Sequence, residues 1–116
     1  MIRKRVFAAL VAAVLVGGPA AAQHANHGAS ANDGAATRAF RAANAKMHKD
    51  MDIRYSGNAD KDFVAGMIAH HEGAVEMARI VIRHGADPEI RALAEGIVRD
   101  QEKEIAQMRA WHARNR

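Results

Sequence analysis

The chain is predicted to be all-α, an antiparallel three-helix up-and-down bundle. Three observations predict it. Beyond residue 32, apolar residues recur at three- and four-residue spacing, the period of one helix face. Proline occurs only once in that stretch, as Pro88, and strand-forming residues are scattered. Turn signals fall at two places, Tyr55-Ser56-Gly57-Asn58 and Gly85 to Pro88, which divides the stretch into three helical segments.

The first helix is expected from about Asp33 or Thr37 to Ile53, with Phe40, Asn44, Met47 and Met51 on one stripe. The second is expected from Asp60, read as its N-cap, to His84, with Gly85 as the glycine that follows a helix C-terminus. The third opens at Asp87-Pro88, a capping side chain followed by proline at the first helical position, and continues to about Ala113. Short turns make consecutive helices antiparallel neighbours.

On the second helix, Lys61, Asp62, Glu72, Glu76, Arg79 and Arg83 crowd into an arc of roughly 100°. Phe63, Met67, His70, Ala74, Met77, Ile80 and Val81 face the other way, an apolar surface wide enough for neighbours on two sides. Gly66 and Gly73, one heptad apart, permit a close approach by another helix at a cost in helix propensity.

The N-terminus predicts export. Arg3, Lys4 and Arg5 precede an apolar run from Val6 to Val16, and Pro19-Ala20-Ala21-Ala22 supplies small residues where a signal peptidase cuts. The organisation expected is a secretory signal peptide over 1–22, a flexible histidine-bearing tail over 23–32 (QHANHGASAN) and a helical domain over 33–116. The apolar run is short for a membrane span, which takes ~20 strongly apolar residues. A periplasmic or secreted chain with no stable membrane anchor after cleavage follows.

Three of the 17 basic residues belong to that signal, so the remainder carries 14 basic against 13 acidic side chains. The high isoelectric point is thus mostly an export signal, and nucleic-acid binding is not expected. With no cysteine in the chain, disulfides are excluded, and any soft-metal site must use methionine and histidine.

Such a site is expected around Met67, His70 and His71. Met67 is spaced i, i+3 and i, i+4 from the two histidines, which brings the side chains together on one helix surface. Folding the third helix back about residue 86 sets His70 and His71 level with Gln101 and Glu102, one turn from Glu104. Gln101 and Glu104 interrupt an apolar stripe of Ile90, Leu93, Ala94, Ile97, Ile105, Met108 and Trp111. Buried polar groups need partners, and the histidines are within reach. The same construction on the first helix brings Asn44, Met47 and His48 to that level.

The expected metal ligands are therefore Met67, His70, His71, Met77, Met47, His48, Met51 and Met108, with Gln101 and Glu104 orienting the imidazoles. Thioether and imidazole together select copper, Cu(I) ahead of Cu(II). The plainer alternative is that the methionines fill the core and that His70, His71, Gln101 and Glu104 satisfy one another without metal. Enzyme signatures are missing. His71-Glu72-Gly73-Ala74-Val75 lacks the second histidine of zinc-protease helices, and no Glu-x-x-His occurs. No catalytic turnover is expected.

Asp60-x-x-Phe63-x-x-x-Met67-Ile68-x-His70-His71-x-x-Ala74-x-x-Met77-Ala78 resembles the signature of the domain-of-unknown-function 305 family. So does Ala94-x-x-Ile97-x-x-x-Gln101-x-x-Glu104-Ile105-x-x-Met108-x-x-Trp111. The resemblance implies a ferritin-like helical bundle and an exported copper-binding or copper-resistance role, with Met67, His70, His71, Met77, Gln101, Glu104 and Met108 as the motif positions. The expected partners are a copper ion, a copper-accepting protein, and a second copy that buries the remaining apolar face of the second helix. The chain lacks the Met/His-rich extensions of longer members, which argues against high-capacity storage. A ferritin-like redox enzyme is the third reading and the weakest.

Overall fold

The structure is a computed structural model. It describes residues 33–116; the expected export signal and the His24/His27 tail lie outside the described residues. Three helices account for most of what is described: α1 (Ala35–Met51), α2 (Ala59–His84) and α3 (Pro88–Arg114). No strand occurs among the described residues. None of these helices is long and apolar enough to cross a membrane.

The boundaries follow from capping chemistry. Asn58, and not the expected Asp60, caps α2: its side-chain oxygen accepts from the Lys61 backbone N–H at 3.0 Å. Asp60 sits in the first turn, where its charge complements the positive helix end. The preceding loop is tied down by Asp62, whose carboxylate accepts from the Ser56 backbone N–H at 2.8 Å and the Ser56 hydroxyl at 2.7 Å. It also accepts from the Gly57 N–H at 3.1 Å, so these three donors hold the carboxyl below the usual carboxylate range. Gly57 has φ of 85°, the left-handed region that favours glycine.

At the other end of α2, Gly85 has φ of −74° and is not the left-handed glycine expected there. Its lack of a side chain serves a close approach instead, since a Cβ there would lie 2.6 Å from the Val81 carbonyl oxygen. Asp87 caps α3 as expected, accepting from the Glu89 and Ile90 N–H groups at 2.8 and 3.2 Å with Pro88 in the first turn.

Packing places α2 in the middle. α1 lies along one side of it and α3 along the other, and α1 and α3 do not touch. Gly73 is the seat for α1: a Cβ there would meet the Met47 side chain at 2.5 to 3.0 Å. Gly66 has more room, with Ile53 Cδ1 at 3.9 Å. The buried residues are small. Ala43, Ala69, Ala78 and Ala94 join Val64, Val75, Ile80 and Ile105, and among the described residues Ile80 alone of the large side chains is almost fully enclosed, at 1% exposure. Several larger apolar side chains stay in solvent, Phe63 at 62% and Leu93 at 59%.

Ion pairs run along the outer face between α2 and α3, Arg79 to Glu102 at 2.6 Å and Glu72 to Arg109. These are exposed pairs, worth little individually, and they mark the side of α2 opposite its apolar stripe.

Candidate functional site

The polar break in the α3 stripe meets α2 at a single point. His71 Nε2 lies 2.6 Å from Glu104 Oε2, with the His71 side chain 14% exposed and the carboxylate 58% exposed. A bond of that length to an ionised carboxylate orients the ring with Nε2–H donating to Glu104; Nδ1 then has a lone pair in the neutral imidazole and a second N–H in the protonated one. That Nδ1 atom is buried with no hydrogen-bond partner. Gln101 Oε1, one turn before Glu104, is buried and unpartnered too. An imidazole held at one nitrogen by a carboxylate, with the other nitrogen free, is the arrangement used to present histidine to a metal ion.

The remaining predicted ligands are spread more widely than the sequence implied. His70 projects into solvent beside His71, the two ring centroids 6.1 Å apart at 62°. Met67 is half-buried and Met77 is 42% exposed, both on the stripe of α2 that carries His70. Met108 is half-buried and lines a groove of about 450 Å³ with Phe63, Val64 and Trp111. On α1, Met47 is taken up by its contact with Gly73, His48 and Asn44 are exposed, and Met51 is 36% exposed.

The expected convergence of three helices at one level therefore does not occur. The eight ligands form no single cluster, and no three histidine, aspartate or glutamate side chains come together as a metal site among the described residues. The reason is architectural. The α1 and α3 backbones each approach α2 and not each other, and the groove that both helices wall is lined by Phe40, Ile90, Leu93 and Ile97, with Met77 the one predicted ligand in it. The expected pairing of Glu104 with a histidine does occur, and it is His71 that it takes. The Arg79–Glu102 and Glu72–Arg109 pairs were not foreseen; opposite charges on both helices were the available signal, but register decides which of them meet.

The family described as Domain of unknown function (DUF305) matches residues 13–112. The chain belongs to the DUF305 family. The match takes in both halves of the His71–Glu104 pair and extends well before the Asp60–Trp111 stretch in which the motif was legible. A viral relative is similar over a shorter stretch: the uncharacterized protein L153 of Acanthamoeba polyphaga mimivirus is 39% identical over 49 residues. That stretch is 42% of this chain and 32% of the viral protein, so the chain spans about a third of that relative's length.

Proposed function

We propose that this DUF305 protein is an exported, non-catalytic copper-binding protein that sequesters copper or hands it to an acceptor protein. Its anchoring ligand is His71, joined by Met67 one turn earlier and by His70 alongside. The single observation that carries the reading is the buried, unpartnered Nδ1 of His71, on a ring whose other nitrogen is held by Glu104. Leaving a buried acceptor unsatisfied costs about 1–3 kcal/mol, a cost that a bound ion removes. Copper(I) is the ion of choice because the donors nearest in sequence are a thioether and a second imidazole. The ion is cargo in this reading, and α2 and α3 supply a fixed ligand frame.

A competitive titration with Cu(I), Cu(II) and Zn(II) tests it on the wild type, His71→Ala, Met67→Ala and Glu104→Gln. Stoichiometric Cu(I) binding should vanish in the first two variants and weaken in Glu104→Gln, where the orienting charge is gone. Outer-shell carboxylates of this kind are worth about 10–100-fold in metal affinity. Wild-type binding no tighter than that of an ordinary histidine-bearing protein sinks the proposal.

The orphaned Gln101 Oε1 supports a second reading. A protonated His71 could donate from Nδ1 to Gln101 and from Nε2 to Glu104, a buried network with no metal. In that case Gln101→Ala lowers thermal stability, and copper leaves the His71 ring resonances where they were.

A further inference from the structure

α2 carries an apolar stripe that neither neighbour covers. Phe63, Met67, His70, Ala74, Met77 and Val81 follow one another in steps of four, three, four, three and four, a single helix face. α1 and α3 sit on the two flanks of this face and leave it open. Its C-terminal half is a groove of about 330 Å³ walled by Phe40 of α1 and by Ile90, Leu93 and Ile97 of α3.

The exposed apolar area is that of a patch which is often functional. Phe63 at 62%, Leu93 at 59%, Ile90 at 45% and Met77 at 42% exposure together leave roughly 450 Å² uncovered, within the range of the largest patch on an ordinary monomer, about 300–600 Å². A stable interface takes ~800 Å² from each partner, so a docked copy must also cover the half-buried Met67, Ala74, Val81 and Ile97.

The stripe is also self-complementary. Its spacing reads the same in both directions about position 72. An antiparallel second copy thus sets Phe63 against Val81, Met67 against Met77 and His70 against Ala74, large against small at both ends. The charges agree with that direction. Of the charged residues at the two ends of α2, Asp60 in the first turn and His84 in the last lie toward the stripe, whereas Asp62 and Arg83 lie on the charged arc. Antiparallel pairing brings Asp60 of one copy beside His84 of the partner subunit, and opposes the helix dipoles. A C2 interface requires this kind of reciprocity.

We propose that a second copy of this chain covers the open α2 face, the two α2 helices antiparallel about a two-fold axis near residues 70–74. Met67 and His70 of one copy then lie beside Met77 of the partner subunit, which adds a second thioether to the Met67, His70 and His71 set of one chain. The docking stands by itself; the shared metal site rests on the copper-binding reading above.

Sedimentation equilibrium on the purified full chain in chelator should show a dimer. Phe63→Glu and Leu93→Glu, both at exposed positions, should be monomeric with unchanged helical circular dichroism. Because the chain has no cysteine, register can be read by oxidation. Met67→Cys/Met77→Cys should give a disulfide-linked dimer, and either single variant should not, since like residues lie ~15 Å apart along the axis. A wild type that stays monomeric at high micromolar concentration overturns the docking, as does a dimer that survives both glutamate variants. Cross-linking by a single variant overturns the antiparallel register. In the copper arm, Phe63→Glu should lose tenfold or more in Cu(I) affinity, about 1.4 kcal/mol, although no ligand has changed. Equal affinity in that monomer refutes the shared site and leaves copper binding intact. A dimer with no copper affinity does the reverse.

Discussion

Two glycines one heptad apart on α2 make opposite predictions when each is changed to alanine. Both stand in the interior of a 26-residue helix, where glycine is about 1 kcal/mol worse than alanine. At Gly66 the added methyl meets only Ile53 Cδ1 at 3.9 Å, an ordinary van der Waals contact, so the propensity gain is kept. At Gly73 the methyl falls 2.5 Å from Met47 Sδ, 2.7 Å from its Cγ and 3.0 Å from its Cβ. The sulfur can swing aside, but Cβ moves only if the α1 backbone moves, and overpacking of that kind costs about 1–3 kcal/mol. Gly66→Ala should therefore raise the thermal midpoint by about 4–8 °C, the shift that 1 kcal/mol produces in a domain of this size. Gly73→Ala should leave it unchanged or lower it by up to about 15 °C. Adding Met47→Ala to Gly73→Ala should recover part of the loss, because it removes the two closest atoms, though it also gives up buried thioether surface. Thermal melts followed by far-UV circular dichroism decide the matter. If Gly73→Ala gains as much as Gly66→Ala, α1 does not sit on Gly73 and the placement of α1 is wrong.

Ile80→Ala should be the most damaging core substitution, about 2–5 kcal/mol in chemical denaturation, because among the described residues Ile80 is the one large side chain almost fully enclosed. A cost below 1 kcal/mol there would mean that Ile80 is not enclosed as described. Asp87→Ala should cost about 1 kcal/mol by removing the acceptor for two α3 N–H groups, and Asp87→Asn should restore most of it. Asp62 titrates below the usual carboxylate range because its ionised form is bonded to Ser56 and Gly57. Its contribution is therefore complete above the ordinary carboxylate pKa of about 4 and is lost as pH falls through the lower folded value. The drop in thermal midpoint on acidification below pH ~4 should be shallower in Asp62→Asn, and equal slopes in both proteins would refute the loop staple.

Much of this protein was legible in its sequence because the signals are local. Helix number, approximate ends, the Asp87-Pro88 start of α3 and the close approach at Gly73 all depend on residues within a few positions of one another or on a side chain being absent. Even the specialised level of α3 could be read, since Gln101 and Glu104 stand where apolar residues belong, and Glu104 does take His71 as its partner.

Relations between helices were not legible. Periodicity told that α2 has a wide apolar surface but not how its neighbours would divide it, and only the packed structure puts α1 and α3 on opposite flanks with the Phe63–Val81 stripe open between them. That arrangement separates Met47, His48 and Met51 from Met108, Gln101 and Glu104: Met47 lies in the α1–α2 seam at Gly73, whereas Glu104 meets the other flank of α2 at His71. A helical sequence specifies its own faces through 3.6-residue geometry; which face meets which is settled by long-range packing energies that leave no mark on spacing. The sequence by itself determined three helices and a histidine awaiting a carboxylate. The tertiary structure decided which of the two histidines takes Glu104, left His71 Nδ1 without a partner, and turned His70 toward an uncovered face.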